Sequence, residues 1–157
     1  MFVSPLWMRL LPHLRRLRKI LVTLLIGYLI VVVMLAVLQR TLIYHPPRNR
    51  EVSSTQSGWS DGRVVPVQVT THDNLVLNGW HVLPSGRTAK DLGEADRELK
   101  TGRPVVLYFS GNAGHRGGRT DWFELFTNDG CDLFAFDYRG YADNVGTPSE
   151  AAFAADA

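Results

Sequence analysis

Two loops in this sequence hold residues of types and spacing that can do chemistry. The first, Ser110-Gly111-Asn112-Ala113-Gly114, follows the apolar run Val105 to Phe109; the second, Asp137-Tyr138-Arg139-Gly140-Tyr141, follows Leu133 to Phe136. If both runs are strands of one parallel sheet, both loops leave it at the carboxyl edge, where open α/β sheets collect their ligands. A glycine-rich turn there frees backbone N–H groups to face an anion. One anion is a phosphate, held by Gly111-x-x-Gly114-x-x-Gly117-Gly118 ahead of a helix, but the G-x-G-x-x-G spacing and the P-loop lysine are missing. Asp137 and Arg139 read as residues that hold loop geometry through hydrogen bonds rather than as acid or base.

The elements that must position these loops are legible from periodicity. Val65, Val67 and Val69 alternate with other residues, as do Leu75, Leu77, Gly79 and His81, and His72-Asp73-Asn74 lies between the two runs, so an antiparallel hairpin is predicted. Ser85 to Arg103 reads as a charged connector with a short helix at Lys90 to Leu99. Pro104 then opens Val105 to Phe109, a run of the kind buried on both faces of a parallel sheet. A helix is predicted from Thr120 to Asn128 with Trp122, Leu125 and Phe126 on one side and Gly130 at its left-handed C-cap. Leu133 to Phe136 completes a strand, helix, strand unit, which implies a right-handed crossover and a parallel pair. Thr147-Pro148-Ser149-Glu150 has the form of a capping box with proline at the first helical position, so a further helix opens there. With no stop signal before Ala157, the domain reads as truncated.

The first fifty residues differ in character. They hold eight Lys and Arg and no acid, whereas 51–157 holds nine against fifteen, a balance of minus six. The cations cluster beside an apolar run instead of covering a folded face, so no nucleic-acid partner is expected. Ile20 to Leu38 is free of charge over nineteen residues, about 28 Å as a helix and long enough to span a bilayer. A cleaved signal peptide is disfavoured by the length of the run and by the lack of a small-x-small site near Leu38. Arg9, Arg15, Arg16, Arg18 and Lys19 precede it, and Arg40, Arg48 and Arg50 follow, which favours a cytoplasmic N-terminus and an extracytoplasmic domain. Pro12 is expected to interrupt any interfacial helix in the basic flank. The organisation is then 1–19 basic flank, 20–38 transmembrane helix, 39–63 polar linker and 64–157 the α/β domain. Cys131 is the sole cysteine, so neither a disulfide nor a cysteine metal cluster enters, and no cofactor is implied.

The loop Ser110 to Gly114 resembles the His-Gly-Asn-Ala-Gly turn of the α/β-hydrolase family, in its membrane-anchored, serine-aminopeptidase-like branch. Asp137 to Tyr141 with Gly146-Thr147-Pro148-Ser149-Glu150 is similar to that family's next loop. The resemblance implies the N-terminal part of an α/β-hydrolase sheet: a hairpin leading into parallel strands with a crossover helix, preceded by one transmembrane helix. It implies a serine hydrolase acting on an ester or amide. The backbone N–H of Asn112 would be the oxyanion donor, with Ser110, Gly111, Ala113 and Gly114 forming its turn and residues 137–141 a pocket loop. Ser110 stands where the family has histidine, and Ala142, Asp143 and Asn144 follow where relatives carry a glycine. In the family the nucleophile, acid and histidine all lie downstream, so residues 1–157 are expected to be inactive alone; a non-catalytic anchored fragment is the other reading. Gly58-Trp59-Ser60-Asp61-Gly62 matches G-x-S-x-G but precedes the whole sheet, whereas a nucleophile elbow needs a buried strand before it and a helix after it. His13 and His45 border the span, His72 and His81 belong to the hairpin, and His115 follows the turn.

Overall fold

The computed structural model describes residues 6–46 and 52–157, and the chain divides into two compact units, Met1–Leu42 and Ile43–Ala157. The first is a helix, α1 (Leu6–Ile43), whose stretch Pro12–Ile43 is long and apolar enough to cross a membrane, with a mean hydropathy of 3.0 in its most apolar window. Pro12 does not interrupt it. Near a helix start, a proline loses one backbone bond that the apolar turns after it outweigh.

The second unit is built on a four-stranded mixed sheet in the order β1-β2-β4-β3, with β1 Val64–Thr70, β2 Val76–Val82, β3 Val105–Phe109 and β4 Asp132–Phe136. The β1/β2 hairpin is antiparallel with Val65 opposite His81 and Val69 opposite Leu77, as the alternation predicts. Its turn is closed by Asn74 in the left-handed region, φ 61°. β2 meets β4 antiparallel, and β3 meets β4 in parallel with Phe109 beside Phe136. At Gly79 no side chain fits, because a Cβ would collide with the Phe136 ring across the β2/β4 pair.

Among the described residues the second unit holds three α-helices: α2 (Leu92–Leu99), capped by Asp91 accepting from the Glu94 N–H at 2.8 Å, α3 (Thr120–Asn128) and α4 (Glu150–Asp156). On one face Trp80, Val82, Leu133 and Ala135 pack with Phe123 of α3; Val65, Leu83, Ala89 and Ala95 form a smaller cluster.

The structure corrects four further expectations. β3 is not buried on both faces: Val106 and Tyr108 pack inward, but Val105 and Leu107 are 53% and 58% exposed, because among the described residues β3 is an edge strand with no helix over that side. α3 turns Phe123 and Thr127 to the core and leaves Trp122, Leu125 and Phe126 outward; the Tyr108 ring meets Phe123 edge-on at 5.0 Å. α4 is capped by Ser149, whose Oγ accepts from the Ala152 N–H at 3.2 Å, not by Thr147, since Pro148 is held outside the helix against Gly140. The stretch 39–63 is not a free linker. Thr41 to Ile43 still belong to α1, Val52 is buried in the main core, and Trp59 Nε1 donates to Glu124 at 2.7 Å. The second unit accordingly begins at Ile43 rather than residue 64. Arg48 and Arg50, counted in the charge asymmetry, lie outside the described residues.

Candidate functional site

β3 and β4 end side by side, and continuing their parallel register by one residue sets Ser110 next to Asp137. The Ser110 hydroxyl donates to Asp137 Oδ1 at 2.8 Å, with both side chains buried. Asp137 is the hub of the site. The Arg116 backbone N–H reaches the same oxygen at 2.9 Å, and Arg116 Nη1 reaches Oδ2 at 2.7 Å. Arg116 is itself only 2% exposed and forms a fork to Asp143, with both contacts at 2.8 Å. Burial by itself would lower its pKa, but the carboxylates of Asp143 and Asp137 outweigh that and hold it above the ordinary arginine value.

Residue 112 is pinned from two directions. Its carbonyl accepts from the Tyr141 hydroxyl at 3.0 Å and from the His45 N–H at 3.2 Å, and its side-chain Nδ2 donates to the Ile43 carbonyl at 3.1 Å. Its own backbone N–H has no acceptor among the described residues. The turn is exposed from Gly111 to Ala113. Gly114 has φ 85°, where a side chain is strained. Gly111 does not need glycine for that reason: it lies outside the left-handed region, and a Cβ there would point into open space.

The second loop braces the first. Tyr141 is fully buried, and burial raises its hydroxyl pKa, with the neighbouring Tyr44 adding to the shift; it therefore stays a proton donor to Asn112. Tyr138 stacks between Phe109 at 5.1 Å and Phe153 at 4.3 Å, its hydroxyl pKa raised by burial and then by the Asp156 charge. Arg139 is spent on structure. It grips Asp156 of α4 and donates to Asp73 of the hairpin turn at 2.7 Å. Gly140, φ 81°, packs where a Cβ would meet Pro148 Cδ at 2.7 Å. Ala142 takes the left-handed conformation, φ 53°, that a glycine takes without strain, and Asn144 closes the loop by accepting from the Asn78 N–H at 2.7 Å.

The remaining candidates are dispersed. Ser60 is exposed on a turn before β1, His81 is buried against Asp132 at 2.8 Å, and His115 is half-buried with Nδ1 unpartnered among the described residues. Sequence reasoning missed Arg116 and Asp143. A basic residue in the glycine-rich stretch 114–118 was the available signal, but its acidic partners stand 21 and 27 residues away. Among the described residues no group of three His, Cys, Asp or Glu is placed to hold a metal ion.

No family model matches the chain. Over 91 residues, 54% of its length, it is 37% identical to the lysophosphatidylserine lipases ABHD12 of Xenopus tropicalis and Rattus norvegicus, covering 24% and 23% of them. It is also 38% identical over 119 residues to the uncharacterized protein MT2364 of Mycobacterium tuberculosis (strain CDC 1551 / Oshkosh), covering 76% of this chain and 37% of that one. The esterase Pf2001 of Pyrococcus furiosus superposes at a TM-score of 0.41 and 19% identity over 68% of this chain and 35% of that chain, too remote to inform the site. The chain thus spans about a quarter of the length of the lipases it matches. The likeness to these lipases over half of the chain, together with a mixed sheet whose two parallel strands end in the paired loops, supports the α/β-hydrolase family.

Proposed function

We propose that the chain supplies the oxyanion-binding part of a membrane-anchored serine hydrolase, with the Asn112 N–H as donor and residues 137–141 as the loop that holds it. The observation that carries this reading is the asymmetry at residue 112: carbonyl and side chain are both committed, while the N–H on the exposed turn is free among the described residues. Acyl transfer builds negative charge on the carbonyl oxygen, and a fixed N–H dipole stabilises it without reorganising. An ester substrate is favoured over an amide because several relatives of the chain carry lipase names. The nucleophile, acid and histidine lie outside residues 1–157. Ser110 has given its hydroxyl to Asp137, Ser60 makes no hydrogen bond to a histidine among the described residues, and His81 is buried on Asp132. Residues 20–38 serve as the membrane span, preceded by the basic flank 1–19 on the cytoplasmic side, with the α/β domain extracytoplasmic.

Two measurements test this. Residues 1–157 should not react with a fluorophosphonate probe, and stoichiometric labelling of any serine would refute the placement of the nucleophile. When the chain's matching segment is grafted into the rat lipase in place of its own 91 residues, Asn112→Pro should lower kcat by about 10²- to 10³-fold, the usual loss for one oxyanion donor. Asn112→Ala, which keeps the N–H, should stay within about tenfold of the parent graft on the same scale. Equal activity of the Pro and Ala variants would overturn the donor assignment.

A further inference from the structure

The basic flank is not a loose tail. α1 runs without a break from the residues preceding the apolar stretch through to Ile43, so Arg15, Arg16, Arg18 and Lys19 are carried at fixed heights along the same rigid cylinder as Ile20 to Leu38. At a rise of about 1.5 Å per residue these four cations lie roughly 1.5 to 7.5 Å beyond the end of the apolar run. The headgroup layer on each side of a bilayer is about 5 to 7 Å deep, so all four reach lipid phosphates. Arg15, Arg18 and Lys19 fall at i, i+3 and i+4 and share one face. Leu10, Leu14, Leu17 and Leu21 share another, and all four leucines are exposed. No acid occurs in the first fifty residues to neutralise the cluster. At the opposite end of the run the corresponding five residues, 39–43, hold only Arg40.

We propose that Arg15, Arg16, Arg18 and Lys19 form a headgroup-level clamp that selects anionic phospholipid in the leaflet meeting the N-terminal end of α1. This rests on the membrane-span reading above and adds a lipid preference confined to one leaflet. The chemistry recognised is the phosphate of a lipid that carries net negative charge. Phosphatidylcholine, whose phosphate is neutralised by its own choline, is discriminated against.

The test uses the full chain reconstituted into phosphatidylcholine vesicles doped with spin-labelled phosphatidylglycerol or spin-labelled phosphatidylcholine, and reads the motionally restricted lipid by electron paramagnetic resonance. At low salt the relative association constant should favour phosphatidylglycerol by about fivefold, a factor equivalent to one basic side chain at an anionic surface. It should fall toward unity as salt shortens the screening length. Replacing Arg15, Arg16, Arg18 and Lys19 together by Gln should abolish the preference, replacing the three arginines by Lys should keep it, and Arg40→Gln should leave it unchanged. Restricted lipid without preference, a preference insensitive to salt, or one that survives the fourfold Gln change would overturn the proposal alone. Absence of restricted lipid of either kind would overturn it together with the span.

Discussion

Asp137→Asn is the sharpest probe of how the turn is held, because the replacement keeps the volume and removes only charge and one acceptor. Three donors converge on the carboxylate: the Ser110 hydroxyl and the Arg116 N–H on Oδ1, and Arg116 Nη1 on Oδ2. An asparagine has two orientations here. With its oxygen toward Ser110 and the Arg116 N–H, its NH₂ confronts Arg116 Nη1, donor against donor. With the amide reversed, the NH₂ meets the Arg116 N–H, which cannot accept, although Ser110 can. Each orientation therefore sets one donor against another, and both remove the negative charge that pairs with the buried guanidinium. Breaking a buried pair costs about 3–5 kcal/mol, and because Arg116 keeps its fork to Asp143, the lower end, roughly 3 kcal/mol, is expected. For a unit of this size that lowers the melting temperature by about 10–15 °C. The assay is thermal unfolding of the full chain in detergent, read by near-UV circular dichroism, with Ser110→Ala as companion at about 2 kcal/mol for one hydrogen bond to a charged group. A loss below about 1 kcal/mol for Asp137→Asn would show that the carboxylate is not the hub, since even one ordinary buried hydrogen bond is worth that much.

Two further outcomes follow from the second loop. Gly140→Ala should destabilise by about 2–3 kcal/mol, combining the left-handed penalty with an overlap on Pro148 Cδ, and a neutral result in denaturant unfolding would contradict the loop geometry. Asp73 is held well below the usual carboxylate range, first by its hydrogen bond to Arg139 and then by that to Thr71. A depressed folded-state pKa contributes stability above the unfolded value of about 3.9 that is lost as pH falls below it, so stability should decline on acidification from about pH 4 downward. In Asp73→Asn that part of the acid dependence should disappear, and unchanged acid curves for the two proteins would refute the assignment.

Local signals set the elements and long-range pairing set the site. The bounds of β3 and α3 were legible because Pro104 opens one and Gly130, φ 82°, closes the other. Which side of α3 faces inward was not legible, since apolar residues occur on both sides and the choice is made by Tyr108 on another strand. The cap of α4 was misplaced because Thr147 and Ser149 both suit the position, and only the packing of Pro148 on Gly140 decides between them. The turn from Ser110 to Gly114 was readable as a glycine-rich loop after a strand. Its braces were not, because they join residues 27, 29 and 69 positions apart through single side chains.

The serine at position 110 makes a point about how such a turn is built. A histidine in the pattern that this turn resembles would brace it from its own first side chain, and Ser110 replaces that brace here. The parallel register supplies the remedy. With Phe109 beside Phe136, the next pair in line is Ser110 and Asp137, so a short hydroxyl suffices to reach the carboxylate, and Arg116 fills the space behind it. Shifting β3 by one residue against β4 would turn Ser110 to the opposite face and separate the pair, since successive strand residues point to opposite sides. The geometry of the turn therefore depends on the β3/β4 register and on the Asp137 hub more than on the five residues that compose it.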